Sequence, residues 1–392
     1  MIFNQTIRWL FVFLACAYPF GQFLQIPLNF FGSPEIRLYL IDILILLIFL
    51  SWIGLHLLEK KKFFLPPPTK HFFLFLGALL VSFLINLPQF RIQESIVGFL
   101  YLLRYSIYSS LYFIIYDLLK NKFFINKKFI QNCFLGWGLI LSVLGMFQYL
   151  VFPDIRPLYF LGWDLHYYRV VGPFLDPNYM GIILTLSVIY FFQESKFFPL
   201  ILSIIPLYLT YSRSSYLAFL TGLSTILFLR KRKRMIFIII LIFIISLILL
   251  PRPGGEGVKL ERVASFIQRI ENWETAINIW KNYPIFGVGF NNYRYAQRKL
   301  GFLSQSDWKI THAGAGVDNS FLFILVTSGI TGEILFLNFW ERVLAASNSS
   351  LLVGSLVAVF VHSLFINSLF YPWVMIWVWF LLGLSIKEHK KH

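Results

Sequence analysis

The sequence predicts an all-α, polytopic membrane protein, and its composition and hydropathy pattern are the observations that predict it. Of the 392 residues, 58% are hydrophobic and only 13% are charged, whereas a soluble domain carries about 25% charged residues. Many continuous apolar runs approach the ~20 residues that a helix needs to cross a bilayer. Because these runs do not alternate as barrel strands do, the pattern excludes a membrane β-barrel.

About twelve stretches are apolar enough to be read as transmembrane helices. The sixth to the eighth are short, so that region is a candidate for a broken or re-entrant segment. The approximate limits are 7–27, 36–58, 71–87, 96–119, 129–152, 178–193, 197–212, 214–229, 235–250, 318–340, 347–366 and 371–386.

The distribution of lysine and arginine predicts the orientation of these helices. With the N-terminus in the cytoplasm, alternate loops carry the basic clusters 59–62, 120–128, 230–234 and 387–391. Such clusters collect in cytoplasmic loops, so both termini are expected to be cytoplasmic. The same rule accounts for the net charge of +16 without a nucleic-acid partner. Cys16 and Cys133 lie in apolar stretches, and their spacing indicates neither a disulfide framework nor a metal site.

Two long loops interrupt the series of apolar stretches, and both fall on the extracytoplasmic side. The predicted division of the chain is 1–250 (nine helices and outer loop 153–177), 251–317 (an extracytoplasmic helical subdomain) and 318–392 (three helices and a cytoplasmic tail). Within the second loop, residues 262–283 are predicted to form an amphipathic helix that Pro284 ends. Its apolar face is expected to comprise Phe266, Ile270, Trp273, Ile277 and Trp280.

Arginines of the outer loops are the candidate anion ligands. Loop 251–317 carries nine basic and five acidic residues, an excess that suits a phosphate-bearing ligand, and the guanidinium fork matches phosphate geometry. Arg262 and Arg269 lie two helical turns apart, hence on roughly the same side. The alternative is that they are solvated or contact lipid headgroups. Arg169 and Arg213 are further candidates, because an arginine at the membrane edge normally has a partner or lines a polar cavity.

The start of the tenth stretch offers two titratable groups. His312 and Asp318 have the chemistry of a proton acceptor for a substrate hydroxyl. Asp318 and Asn319 also suit a helix N-cap, and capping uses only one oxygen. His312 and Asp318 do not make a metal site, either singly or as a pair. No cofactor motif is present in the sequence.

Other polar residues have structural explanations of at least equal weight. Asn178 occupies the expected N-cap of the sixth stretch, after the turn signal Asp176-Pro177. His362 fits a helix–helix hydrogen bond. Arg104 and Asp42, each in the middle of an apolar stretch, form either a structural ion pair or part of a transport or catalytic site.

Four segments, in this order, resemble the O-antigen ligase and polymerase family of bacterial surface-polysaccharide assembly. They are RVVGPFLDPNYMG (169–181), SRS (212–214), the arginine–tryptophan–P-x-x-G-x-G stretch 269–293, and DNSFLFILVTSGITG (318–332). The resemblance implies a metal-independent, inverting glycosyltransferase of the bacterial inner membrane, with a GT-C-like helical architecture and an extracytoplasmic active site. It also implies a polyprenyl-diphosphate-linked glycan donor, with the diphosphate on Arg213 and Arg269, and position 318 beside the glycan acceptor.

The sequence departs from that family at one position. Ligases of the family carry histidine where this chain has Asp318, so the resemblance favours a polymerase, with a ligase that joins the glycan to lipid A-core as the alternative. Membrane lipids are expected partners, and a chain-length regulator protein is a possible one. A lipid-linked glycan transporter (a flippase) is the competing class, and the peptidoglycan polymerases are a second competing family.

Overall fold

The computed structural model describes residues 2–28, 36–59, 62–123, 125–161, 165–304 and 316–385. Within these residues the chain is helical apart from turns and one two-stranded hairpin, which confirms the predicted all-α class. The helices are α1 (Ile2–Ala17), α2 (Leu40–Glu59), α3 (Thr69–Asn86), α4 (Ile92–Lys120), α5 (Lys127–Val151), α6 (Pro177–Gln193), α7 (Phe197–Tyr208), α8 (Arg213–Leu229), α9 (Lys233–Leu249), α10 (Ala264–Asn282), α11 (Tyr293–Lys299), α12 (Ser320–Ala345), α13 (Ser350–Ser363) and α14 (Pro372–Ser385).

Among the residues that the structure describes, five segments are long and apolar enough to cross a membrane by length and composition. They are Leu40–Glu59, Thr69–Gln89, Ile92–Lys120, Lys127–Val151 and Ser320–Ala345. Each of the twelve predicted stretches contains one helix, and α10 and α11 lie between the ninth and the tenth. Along α9 the apolar side chains are mostly exposed, a surface that suits lipid. These helices fit a multi-pass membrane protein, and the count of twelve spans stays a prediction.

The first predicted stretch, 7–27, is α-helical only to Ala17 and continues as a 3-10 helix from Tyr18 to Phe23, which corrects its C-terminal boundary. Pro19 has no N–H to continue the helix, and Gly21 adopts a left-handed φ of 56°. The chain then forms strand β1 (Gln25–Leu28), which pairs antiparallel with β2 (Ile36–Tyr39). A short strand within an apolar run cannot be distinguished from helix by periodicity, so the sequence does not reveal this hairpin.

An ion pair fixes the hairpin to the bundle. Asp42, in the first turn of α2, accepts hydrogen bonds from Arg104 Nη2 and the Tyr108 hydroxyl, each at 2.7 Å, and from the backbone N–H of Tyr39 at 2.8 Å. Arg104 also donates to the carbonyl of Arg37 at 2.5 Å. Because the hydrogen bonds of both charges join β2, α2 and α4, the geometry favours the structural alternative for this pair.

Helix α10 differs from its prediction in start and in buried face. It begins at Ala264, so Arg262 precedes it and does not share a helix side with Arg269. Its most buried residues are Ala276 and Ile279, whereas Phe266, expected on the apolar face, is 49% exposed. The small side chain of Ala276 carries little hydrophobic signal, which is why the sequence places the face about one residue away.

Small residues allow the closest helix contacts. A Cβ on Gly222 of α8 would lie 2.8 Å from the carbonyl oxygen of Gly354 in α13, and the reverse distance is 2.9 Å. Such close backbone approach is typical of helix pairs in membranes. Helices α6 and α14 are buried along most of their length. Because their backbones approach closely at Gly222 and Gly354, helices α8 and α13 form a rigid support for the residues at their ends.

A break in α12 joins the loop after α10 to the bundle. At Gly329 the backbone leaves helical geometry, with φ 67° and ψ −173°, and the loop 284–289 occupies the gap. Val288 and Gly289 donate to the carbonyls of residues 326 and 327 at 3.0 and 2.9 Å, and the N–H of Ile330 donates to the carbonyl of residue 284 at 2.9 Å. The loop thereby satisfies backbone groups that the break would leave unpaired within apolar surroundings.

We expect Gly329→Ala to destabilise the protein by roughly 3 kcal/mol or more, because of its left-handed φ and steric overlap. A Cβ at this position would lie 2.1 Å from the carbonyl oxygen of Ile285. Gly77→Ala is the matched control, since that Cβ meets nothing within 4 Å and φ is helical. Thermal unfolding of the detergent-solubilised proteins measures the difference, and equal midpoints for both variants would refute this account of the break.

Candidate functional site

The predicted site residues that the structure describes lie at one end of the bundle, which we call the loop face. It comprises segments 165–177, 210–213, 251–304 and 316–319. His312 lies outside the described residues, so its predicted role is untested. Seven of the other eight predicted residues lie on this face or within hydrogen-bonding contact of it, and His362 contacts Ser214, the residue after Arg213.

Arg213, the first residue of α8, anchors the chain that leads into α10. Its Nη1 donates to the carbonyls of Leu260 and Arg262 at 3.2 and 3.0 Å, and its Nη2 donates to Ser265 Oγ at 2.9 Å. These bonds use three of the five N–H groups of the guanidinium. Arg213 therefore orders the loop and retains donors for a ligand.

Arg169 and Arg262 share one backbone acceptor. Tyr211 has a left-handed φ of 49°, and its carbonyl accepts from Nη2 of both arginines at 3.3 and 3.2 Å. Arg169 Nε also donates to the carbonyl of Thr210 at 2.8 Å. A positive φ is unusual for a large residue, and here it turns one carbonyl toward two positive charges. The segment TYSRSS thus holds Arg169 and Arg262 through two of its carbonyls, and Arg213 is one of its own residues.

Burial and like-charge repulsion lower the pKa of Arg169 and of Arg262. Burial, and then the charge of Arg262, lowers the pKa of Arg169 to about 9, and its side chain is almost inaccessible to solvent. Burial, followed by the charges of Arg213 and Arg269, lowers the pKa of Arg262 to about 10. A buried cation is costly unless an anion compensates it. The cluster therefore gains stability when an anion binds.

Arg269 differs from the other three arginines in its hydrogen bonds. It lies within α10 and is partly buried, and in the part of the chain that the structure describes its guanidinium donates no hydrogen bond. Burial lowers its pKa, the charge of Asp318 opposes that shift, and the charge of Arg213 adds to it. Its whole donor fork is consequently available to a ligand.

Asp318 is held beside α10 by its backbone. Its N–H donates to Asn272 Oδ1 at 2.9 Å, and its carbonyl accepts from Trp273 Nε1 at 3.1 Å. Asn319 is the N-cap of α12, with its Oδ1 accepting from the N–H groups of residues 321 and 322. Because Asn319 caps the helix, the Asp318 carboxylate is not used for capping and acts on the charge of Arg269.

The N-cap of α6 is Asp176, which corrects the prediction for Asn178. Asp176 Oδ1 accepts from the N–H groups of residues 178 and 179 at 2.6 and 3.0 Å. Asn178 lies within the helix, and its Oδ1 accepts from Ser212 Oγ at 2.9 Å. Because proline is favoured at the first helical position, Pro177 opens the helix and the cap lies two residues earlier than predicted.

His362 connects α13 to the start of α8. Its Nε2 lies 3.1 and 3.2 Å from the hydroxyls of Ser214 and Ser215, and its Nδ1 lies 2.6 Å from Ser368 Oγ. The ring is fully buried, so the predicted helix–helix hydrogen bond is confirmed. It supports the residue next to Arg213 and contributes no free group to the site.

His166 is a residue of this site that the sequence analysis missed. Burial, followed by the charges of Arg169 and Arg262, lowers its pKa to about 3, so the ring is neutral at pH 7. Its buried Nε2 has no hydrogen-bond partner among the described residues. The only signal in the sequence is its place three residues before Arg169, because no periodic spacing relates it to the other site residues.

In total, four arginines and a neutral histidine face two carboxylates. Asp176 and Asp318 both act on the charge of Arg269, and positive charge remains in excess. The arrangement can bind a multiply charged oxyanion through guanidinium forks, with the carboxylate of Asp318 nearby.

The comparison with known families concerns this same region. Residues 198–337 match the sequence model of a family described as O-antigen ligase, and the matched segment contains Arg213, Arg269 and Asp318. No curated protein sequence matches the chain. The match covers about a third of the chain and agrees with the resemblance of its sequence to the O-antigen ligase and polymerase family.

Proposed function

We propose that this protein is an inverting, metal-independent glycosyltransferase that polymerises polyprenyl-diphosphate-linked oligosaccharide units at the extracytoplasmic face of the membrane. The observation that carries the proposal is the arginine cluster beside Asp318, in which Arg269 has its donor fork free. The family match supports a surface-glycan substrate. The orientation rests on the basic loops, which place the loop face outside the cytoplasm.

The donor diphosphate binds where positive charge is least compensated. Arg269 offers a complete guanidinium fork, and Arg213 offers the donors that its backbone acceptors leave unused. Arg169 and Arg262 donate hydrogen bonds to backbone carbonyls. Their positive charges add to the electrostatic attraction for the diphosphate. Together these groups stabilise the negative charge that develops on the diphosphate as the glycosidic bond breaks.

The acceptor attacks from the opposite face of the donor sugar. A hydroxyl oxygen of the acceptor forms the new bond to the anomeric carbon, the bond to the diphosphate oxygen breaks, and the configuration inverts. The hydroxyl proton passes to the carboxylate of Asp318, and polyprenyl diphosphate leaves with the bonding electron pair. Such proton transfer accelerates a reaction by a factor of about 10²–10⁴. The positioning of two large glycans accelerates it further.

A ligase that joins the finished glycan to lipid A-core is the second candidate, because the matching family is described as O-antigen ligase. The donor site serves both reactions equally. Aspartate in place of the histidine that the ligases carry at position 318 favours polymerisation.

The glycan profile of a deletion strain tests the proposal, with lipid-linked and surface-linked glycans analysed separately. We expect surface glycan reduced to a single repeat on its anchor, and restoration by the wild-type gene. Long chains that persist on the lipid carrier but do not reach the anchor would establish the ligase. An unchanged profile of both pools would refute glycan transfer by this protein.

A further inference from the structure

We propose that a cavity beside the first turn of α12 binds one uncharged sugar ring of the acceptor glycan. The identification of that sugar as the acceptor rests on the proposed function. The cavity itself rests on independent observations: its lining, its charge balance and its connection to Asp318.

The cavity has the lining of a carbohydrate subsite. Its volume is about 130 Å³, and five of its lining residues are aromatic: Tyr101, Tyr105, Phe290, Phe323 and Phe370. A buried water needs about 10–15 Å³ on this scale, so there is room for on the order of ten water-sized groups, which matches one sugar ring. Mostly apolar walls with a few placed polar groups are typical of small-molecule sites.

The charge of the cavity wall is balanced, unlike that of the arginine cluster. Arg104 reaches the cavity, but its Nη2 is bound to Asp42 at 2.7 Å. The guanidinium also lies over the rings of Tyr39 and Tyr101, at 5.4 and 5.2 Å from their centroids. A phosphate would therefore prefer the arginine cluster, and the cavity suits an uncharged ligand with hydroxyl groups.

Two amide side chains provide hydrogen bonds for those hydroxyls. Asn291 adopts a left-handed φ of 61°, and among the described residues its side chain makes no hydrogen bond. In the described part of the chain, Asn367 uses only its Oδ1, which accepts from Ser320 Oγ at 2.9 Å, and its NH₂ group makes no hydrogen bond there. Both residues line the cavity, and an amide can both donate to and accept from a sugar hydroxyl.

A short series of contacts connects the cavity to the proposed reaction site. Ser320, which holds Asn367, lies two residues after Asp318 at the start of α12. The next residue after Asn367, Ser368, contacts His362, which in turn contacts Ser214 beside Arg213. A sugar bound in the cavity thus lies against the same helix start that carries Asp318.

Asn291→Gly and Asn291→Asp test the assignment, because each changes the amide and both residue types tolerate a left-handed φ. Ser195→Gly is the matched control, since Ser195 has a φ of 56° and lies in the turn before α7. The probe is the soluble single-repeat oligosaccharide that mild acid releases from the host's lipid-linked glycan. Its dissociation constant is measured by ligand-observed NMR with the full chain in nanodiscs.

We expect Asn291→Gly and Asn291→Asp to weaken oligosaccharide binding by about five- to tenfold, as loss of one or two hydrogen bonds predicts. Ser195→Gly should remain within about twofold of wild type. Inorganic diphosphate serves as a second probe, whose binding should be lost in Arg269→Ala and retained in Asn291→Gly. Wild-type affinity in both Asn291 variants, or the absence of oligosaccharide binding to the wild-type protein, would overturn the assignment.

Failure of the proposed function has a different signature. If oligosaccharide binding depends on Asn291 but the deletion strain makes normal glycan, the sugar site stands and the transferase assignment falls. If the deletion strain loses polymer while both Asn291 variants bind the oligosaccharide as wild type does, the transferase stands and the cavity is not its acceptor subsite.

Discussion

Replacement of Arg269 by alanine is expected to lower glycan transfer by about 10²–10³, while the protein folds as well as the wild type. The loss follows from the removal of the only complete donor fork in the described site, since one preorganised donor to a developing charge contributes a factor of that size. The rate is measured with protein reconstituted in liposomes, as the initial consumption of lipid-linked glycan extracted from the deletion strain.

The stability expected of the same variant makes this prediction specific. The Arg269 guanidinium makes no hydrogen bond among the described residues, so alanine leaves no backbone acceptor unsatisfied. Burial lowers the pKa of Arg269 against the opposing charge of Asp318, so its removal also relieves the cost of a buried cation. We expect a thermal unfolding midpoint equal to or above that of the wild type, as found where a strained functional group is removed.

Arg213→Ala should behave differently, because three acceptors lose their donor. The carbonyls of Leu260 and Arg262 and the hydroxyl of Ser265 all accept from this side chain. Loss of activity in that variant would therefore combine lost binding with a disordered loop. The Arg269 variant separates the two effects.

Two further variants complete the experiment. Arg252→Ala is the matched control, because Arg252 lies in the same loop in an exposed ion pair with Glu261, and such pairs contribute little. It should retain activity within about twofold. Arg269→Lys keeps the charge but loses the bidentate fork, so intermediate activity is expected. Wild-type activity in Arg269→Ala would remove this residue from the diphosphate site.

Local patterns in the sequence predict the helices of this chain but not the contacts that assemble the site. Apolar stretches identify each helix because burial in lipid or protein sets their length and composition. The break at Gly329 is different, because it is stabilised by hydrogen bonds from a loop about forty residues earlier in the chain. Backbone pairing of that kind has no periodic signature, although the glycines that it requires are visible in the sequence.

The roles of the arginines likewise depend on contacts that the sequence does not reveal. The excess of basic residues in the outer loop indicates an anion site, yet Arg213 and Arg269 look equivalent in the sequence. The path of the loop decides which guanidinium finds carbonyl acceptors, and only the structure shows that Arg213 is bonded to backbone while Arg269 is not. His166 joins the cluster for a similar reason, since its neighbours Arg169 and Arg262 are distant from each other in the chain.

Replacement of Asp318 by asparagine is expected to lower the rate of transfer by about 10²–10⁴, the usual contribution of a general base. We expect the fold to be retained, because Asn272 and Trp273 hold the backbone of Asp318 and asparagine is close to aspartate in size. Binding of diphosphate should be unchanged or tighter, because the negative charge beside Arg269 is removed. The measurement is the rate at saturating substrate together with the dissociation constant of inorganic diphosphate.

Asp176→Asn provides the control that separates base catalysis from charge balance. Asp176 also acts on the charge of Arg269, and its side chain caps α6. Asparagine is an equally good N-cap, so this variant removes the charge and preserves the structure. If Asp318 is the base, Asp176→Asn retains most of the activity while Asp318→Asn loses it. Equal losses in the two variants would show that the carboxylates balance the arginines, and near-wild-type activity in Asp318→Asn would move the base assignment to His312.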